Sequence, residues 1–183
     1  MPMSASATLR ARTSPCHERV DAAFGAFRLD EPPAYRAFLI AHARALAAVE
    51  AALAAIPALP AWRPRMALLA QDLADLSASV PPPLPFNGLT GAAAWGALYV
   101  IEGSRLGGAM LARDVVPGLP RRYLHATFEP GEWRTLRLAI DEEAVRQGEE
   151  WLAQAVAGAE ACFALYQRAA ALAASEAAPR SAP

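Results

Sequence analysis

The stretch Leu98-Tyr99-Val100-Ile101-Glu102-Gly103-Ser104-Arg105-Leu106-Gly107-Gly108 decides the fold. It lies in a segment from about Thr90 to Val116 whose composition is helical but which is interrupted by Gly91, Gly96, Gly103, Gly107 and Gly108. Each interior glycine costs a helix about 1 kcal/mol relative to alanine, so five in one segment ask for a use. Gly103 and Gly107 stand one turn apart and bare a strip of backbone on one side of a helix, where a flat or bulky group can approach closely. Tight helix–helix packing of the small-xxx-small kind accounts for the same spacing, and Glu102, Arg105 and Arg113 argue against its membrane version.

Outward from this segment the chain reads as helix in both directions. A first helix is expected from about Thr8 to Phe27, where Pro15 removes an N–H and can restart the helix with Ser14 as N-cap. Asp30-Glu31-Pro32-Pro33 reads as a turn. From Ala34 to Ile56, Phe38, Leu39, Leu46, Val49, Leu53 and Ile56 recur at helical spacing. Pro64 to about Ser77 carries Met66, Leu69, Leu73 and Leu76 on one face, and the prolines at 81–83 and 85 require extended backbone. Pro117 to Gly131 is a loop, and Glu132 to about Ala173 supplies one long helix or two. Residues 1–7 are expected to be flexible and 174–183 a disordered tail, leaving one helical domain over 8–173.

Composition narrows the function. The 183 residues suit one domain, and the Ala/Leu/Arg/Glu mixture favours an all-α protein. Seventeen basic residues, all arginine, against 18 acidic ones leave a formal charge of −1, which gives no field for nucleic acid or anionic lipid. Without lysine, Schiff-base and lysine-base chemistry are excluded, and arginine is the residue left to hold carboxylates. Cys16 and Cys162 match no metal or redox spacing and read as reduced thiols. The N-terminal run lacks an apolar core, and the longest uncharged apolar run, 91–101, is shorter than the ~18 residues of a membrane span. A cytoplasmic protein is expected.

Three histidines exist, and His17 has the most suggestive neighbours. Arg10, Thr13 or Ser14, His17, Asp21 and Phe24 share one helical face. That stripe offers a cation, a ligand, a carboxylate and an aromatic. A metal-ligating imidazole ties its other N–H to a carboxylate, carbonyl or water, and Asp21 at i+4 can serve. A surface His–Asp pair accounts for the same spacing. Cys16 points about 100° away around the helix, so it and His17 cannot face one metal ion. His42 and His125 read as structural or surface residues.

Together these segments resemble the haem oxygenase family, particularly bacterial members associated with bacteriophytochromes. The likeness rests on Leu9-Arg10-x-x-Thr13-x-x-x-His17-x-x-x-Asp21, on Ala47–Leu53, on Leu68-x-x-Asp72-Leu73-x-x-Leu76 and above all on Leu98–Gly108. The resemblance implies a single-domain helical bundle that holds haem between a proximal helix and a glycine-kinked distal helix. It implies His17 as the iron ligand, with Asp21 behind it. Gly103, Ser104, Gly107 and Gly108 form the distal, oxygen-activating side, Arg10 and Arg134 contact the propionates, and Tyr99 and Phe163 line the pocket. For the last two, ordinary core packing is an equal reading. Ser104 stands where many members carry an aspartate that holds water beside bound oxygen, and a hydroxyl cannot act as a carboxylate.

The implied reaction uses haem as substrate and cofactor and yields biliverdin, CO and iron, with O2 and electrons supplied from outside. No G-x-G-x-x-G, flavin-type or iron–sulfur motif is present, so an external reductase or ferredoxin is implied, and a bacteriophytochrome is the implied recipient of the product. The rival readings are a haem carrier or sensor that does not degrade its ligand, a related fold with a di-iron or thiaminase-like site, and a helical docking module. The di-iron reading needs carboxylate–histidine clusters on facing helices, and no Glu-x-x-His pair occurs.

Overall fold

The computed structural model describes residues 3–178, and among these every regular element is a helix. In chain order they are α1 (Ala5–Gly25), α2 (Pro32–Ala54), α3 (Met66–Asp75), α4 (Gly91–Gly103), α5 (Arg105–Leu111), α6 (Glu132–Gln147) and α7 (Glu149–Ala177). The expected all-α bundle is the architecture found.

The bundle is organised on α7, against which α4, α1 and α2 all pack, while α3 lies on α2. Small residues make this possible. Ala155, Ala159, Cys162, Ala169, Ala170 and Ala173 of α7 are buried, and their short side chains let three helices come close at once. α2 is buried on several sides, through Tyr35, Phe38, Leu39, Leu46, Val49 and Leu53. By length and apolarity α2 could cross a membrane, but 56% of the apolar window lies inside the protein, as befits a core helix.

Several boundaries differ from those expected, each for a local reason. α1 begins at Ala5, because the Ser4 hydroxyl accepts from the Ala7 N–H at 3.3 Å, and Ser6 is held by Asp141 of α6 through its N–H (2.7 Å) and hydroxyl (3.2 Å). Residues 5–7 are thus helical with Ser4 as their cap, and Met1 and Pro2 lie outside the described residues. Pro15 does not restart the helix. α1 runs through it unbroken, and Ser14 turns its hydroxyl to Glu18 rather than to a cap. Pro32 and Pro33 form the first turn of α2, where a missing N–H costs nothing. Glu132–Ala173 becomes two helices because Gly148, at φ 87°, takes a backbone conformation closed to L side chains. α7 then continues to Ala177, past the expected end at Ala173, and 179–183 lie outside the described residues.

The loop after α5 is tied down by buried polar groups. Asp72, fully buried on α3, accepts from the backbone N–H groups of Arg122 (3.2 Å) and Tyr123 (2.9 Å) and from the Arg122 guanidinium (3.1 Å). The Tyr35 hydroxyl donates to the Pro120 carbonyl at 2.7 Å.

Candidate functional site

His17 stands on the outer part of α1 with its Nδ1 3.0 Å from the Asp21 carboxylate, both side chains being more than half exposed. Its ring meets Phe163 of α7 edge to face at a centroid distance of 5.8 Å. The i+4 carboxylate occupies Nδ1, so Nε2 is the nitrogen available to a metal. Phe163 itself is buried, and places an aromatic floor under the imidazole.

The glycine strip divides into three environments. A Cβ on Gly103 would stand 3.3 Å from the indole of Trp133, which also meets Tyr99 (5.3 Å) and Phe128 (5.5 Å). A Cβ on Gly107 would meet nothing within 4 Å, whereas one on Gly108 would stand 2.5 Å from the Leu124 carbonyl oxygen. Gly103 is therefore under a movable side chain, Gly107 borders open space, and Gly108 serves close packing of α5 on the following loop.

Ser104 sits at the break between α4 and α5. Its hydroxyl donates to the Ile101 carbonyl at 2.7 Å and accepts from the Arg65 guanidinium at 2.7 Å. The one proton it has is committed to backbone, which leaves a lone pair, not a donor, for any neighbour.

Burial pushes the Tyr99 phenol up, and the positive charges of Arg137 and Arg10 act in the opposite direction. Arg137 of α6, which no sequence motif singled out, donates from Nε to the Ser6 hydroxyl of α1 at 3.4 Å. Arg134, the cation expected here, is exposed and makes no hydrogen bond or ion pair among the described residues. Trp133 and Arg137, spaced i,i+4 on α6, carried a usable signal. Arg65 carried none, because its partners lie 36 and 39 residues away.

The other histidines stand apart. His42 is packed against Phe24 and Phe38, each at 4.4 Å between centroids, and its Nδ1 is 2.9 Å from the Tyr123 hydroxyl. Burial, aided by the charge of Arg65, pushes its pKa down to about 3, so the imidazole is neutral. His125 is exposed in the loop after α5. Both cysteines are free, and burial pushes the Cys162 thiol far up. No group of three or more His, Cys, Asp or Glu among the described residues could hold a metal ion. Two open depressions, of about 630 Å³ beside Asp75 and Arg121 and about 620 Å³ beside Trp95 and Arg146, include none of the expected site residues.

The groups offered are one imidazole backed by a carboxylate, aromatic rings at Phe163, Tyr99 and Trp133, an exposed cation at Arg10 and backbone without side chains at Gly103 and Gly107. The fold is that of the haem oxygenases. It is similar, at a TM-score of 0.73 and 26% identity over 94% of this chain and 92% of the other, to a haem oxygenase from Neisseria meningitidis whose structures have NO and CO bound. The chain is also 40% identical over 114 residues to a haem oxygenase of Xanthomonas campestris pv. campestris (strain 8004), a match that covers 56% of this chain. It spans 65% of that relative's length. No family model matches the chain. Sequence and fold together support the haem oxygenase family.

Proposed function

We propose that this protein is a haem oxygenase that binds haem through His17 and opens its ring, with O2 and an external reductant, to biliverdin, CO and iron. Haem is the substrate, and its iron supplies the redox chemistry while the chain binds, orients and encloses it. The observation that carries the reading is the His17–Asp21 pair on the Phe163 ring, a single imidazole already oriented by a carboxylate. Asp21 fixes the tautomer and raises the basicity of the ligand nitrogen. Gly103 and Gly107 let backbone approach the opposite face, Gly108 holds that backbone at its depth, and Ser104 shapes the junction between them. Arg10 pairs with one propionate by charge-assisted hydrogen bonding. Arg134, exposed on α6, is the candidate for the second propionate.

Electrons come from a ferredoxin or reductase, the reaction is placed in the cytoplasm, and a bacteriophytochrome is a fitting recipient of the product. The test is a haem titration of the protein and of His17→Ala, followed by ascorbate or a reductase–ferredoxin system under air. The expected result is a histidine-ligated Soret band that decays into biliverdin absorption, with neither in the variant. Bound haem that persists under reductant and air would instead identify a carrier.

A further inference from the structure

We propose that Arg65 is a positioning residue of the haem site, whose buried guanidinium fixes the junction between α4 and α5 at Ser104 and so sets where the Gly103 backbone stands. The proposal rests on the haem reading above. Arg65 is 3% exposed and lies at the foot of α3. One of its terminal nitrogens donates to the Ile101 carbonyl at 2.5 Å and to the Ser104 hydroxyl at 2.7 Å. The Ile101 carbonyl thus receives two side-chain donors, Arg65 and Ser104, at the point where the helix breaks. Side chains inserted into the main-chain ladder, and serine hydroxyls bonded back to a preceding carbonyl, are both causes of helix bending.

The clamp is reciprocal. Arg105, the first residue of α5 and 3% exposed, donates to the Arg63 carbonyl and, at 2.9 Å, to the Ala126 carbonyl, while its Nε holds Glu102 at 3.0 Å. The connector between α2 and α3 (residues 55–65) and the α4–α5 junction therefore each send an arginine into the other's backbone. The connector is itself anchored to α2, because Glu50 accepts from the N–H groups of Arg65 (2.6 Å) and Met66 (3.2 Å). The Arg65 guanidinium forms no ion pair among the described residues. Its partners are a carbonyl, a hydroxyl and the face of Tyr123 at 5.0 Å. A buried cation is costly unless hydrogen-bonded, and this one is committed to a single helix junction. Ser104 acts with it on the backbone, and the hydroxyl is an element of shape.

The experiment is hydrogen exchange by mass spectrometry on the haem-free protein and on Arg65→Lys, Arg65→Met and Ser104→Ala, with the C–O stretch of the ferrous carbonyl complex read on the haem-loaded forms. In Arg65→Met, amides of 101–108 should exchange about tenfold faster or more, as loss of a buried charged hydrogen bond implies, while α1 and α2 keep their protection. The C–O band should broaden. Arg65→Lys, which keeps a donor, should recover part of both effects. If Arg65→Met does not fold, acceleration confined to 101–108 in Arg65→Lys and Ser104→Ala carries the same weight. Unchanged exchange at 101–108, or equal acceleration in every helix, would overturn the proposal. If the wild type binds no haem, the haem reading fails by itself and the exchange data still decide whether Arg65 holds the junction.

Discussion

Gly96 and Gly158 each lie against the other's helix at the crossing of α4 and α7. A Cβ on Gly96 would stand 1.8 Å from the Ala155 carbonyl oxygen, and one on Gly158 would stand 2.0 Å from the Ala93 carbonyl oxygen. Backbone meets backbone at this crossing, which seats α4 on the same α7 that carries Phe163 against His17.

Gly96→Ala and Gly158→Ala should therefore destabilise the protein by about 2–4 kcal/mol, because no flexible side chain can yield and overpacking outweighs the ~1 kcal/mol gain in helix propensity. Urea denaturation measures this, and a variant as stable as wild type would show that the crossing can open.

Gly107→Ala has the opposite expectation. The added methyl meets nothing within 4 Å, so the haem-free protein should gain up to about 1 kcal/mol from helix propensity. Haem affinity should fall, since the methyl covers backbone proposed to face the ring. Thermal melts and haem titration read the two effects separately, and unchanged affinity would remove Gly107 from the site.

Asp21→Asn should leave the helix intact, as both side chains of the His17–Asp21 pair are exposed, yet weaken haem binding by about 10–100-fold, the usual effect of losing the partner behind a ligating imidazole. Soret titration checks it. Equal affinity would mean that the pair is a surface contact only.

Acid should unfold the protein through His42. Its pKa is held at about 3 in the fold against 6.5 in the unfolded chain, so between these values the unfolded state takes up a proton that the native state refuses. Stability is present above pH 6.5 and is lost as pH falls, at up to about 1.4 kcal/mol per unit. Glu50, raised by burial, acts with the opposite sign just above the ordinary carboxylate range. Comparing urea midpoints of wild type and His42→Gln between pH 5 and 7 isolates the histidine. An equal slope in both would exclude it.

Much of the helical order was legible because it depends on local chemistry. Apolar residues at helical spacing marked α2 and α3, the proline run marked the extended segment, and the i,i+4 relation of His17 and Asp21 follows from helix geometry once α1 is placed. The errors were at ends and breaks. The Ser4 cap is strengthened by Asp141, 135 residues beyond Ser6, and Pro15 was absorbed within α1 instead of restarting it. Boundaries that depend on partners elsewhere in the chain leave little local trace.

Spacing of three and four residues specifies a helical face without reference to the rest of the molecule, so the helical character of the chain, the His17–Asp21 pair on the first helix and the glycine interruptions at 103–108 were all readable locally. Only the tertiary structure decided what each glycine does. Gly96 and Gly158 admit a neighbouring helix, Gly108 a loop carbonyl and Gly103 an indole, while Gly107 is left open. It also decided that Ser104 is bound to Arg65, and that Arg137 of α6 meets Ser6 of α1. A glycine has no side chain to declare its neighbour, and an arginine's long arm reaches acceptors far from it in the chain, so both acquire their meaning only when the helices are packed.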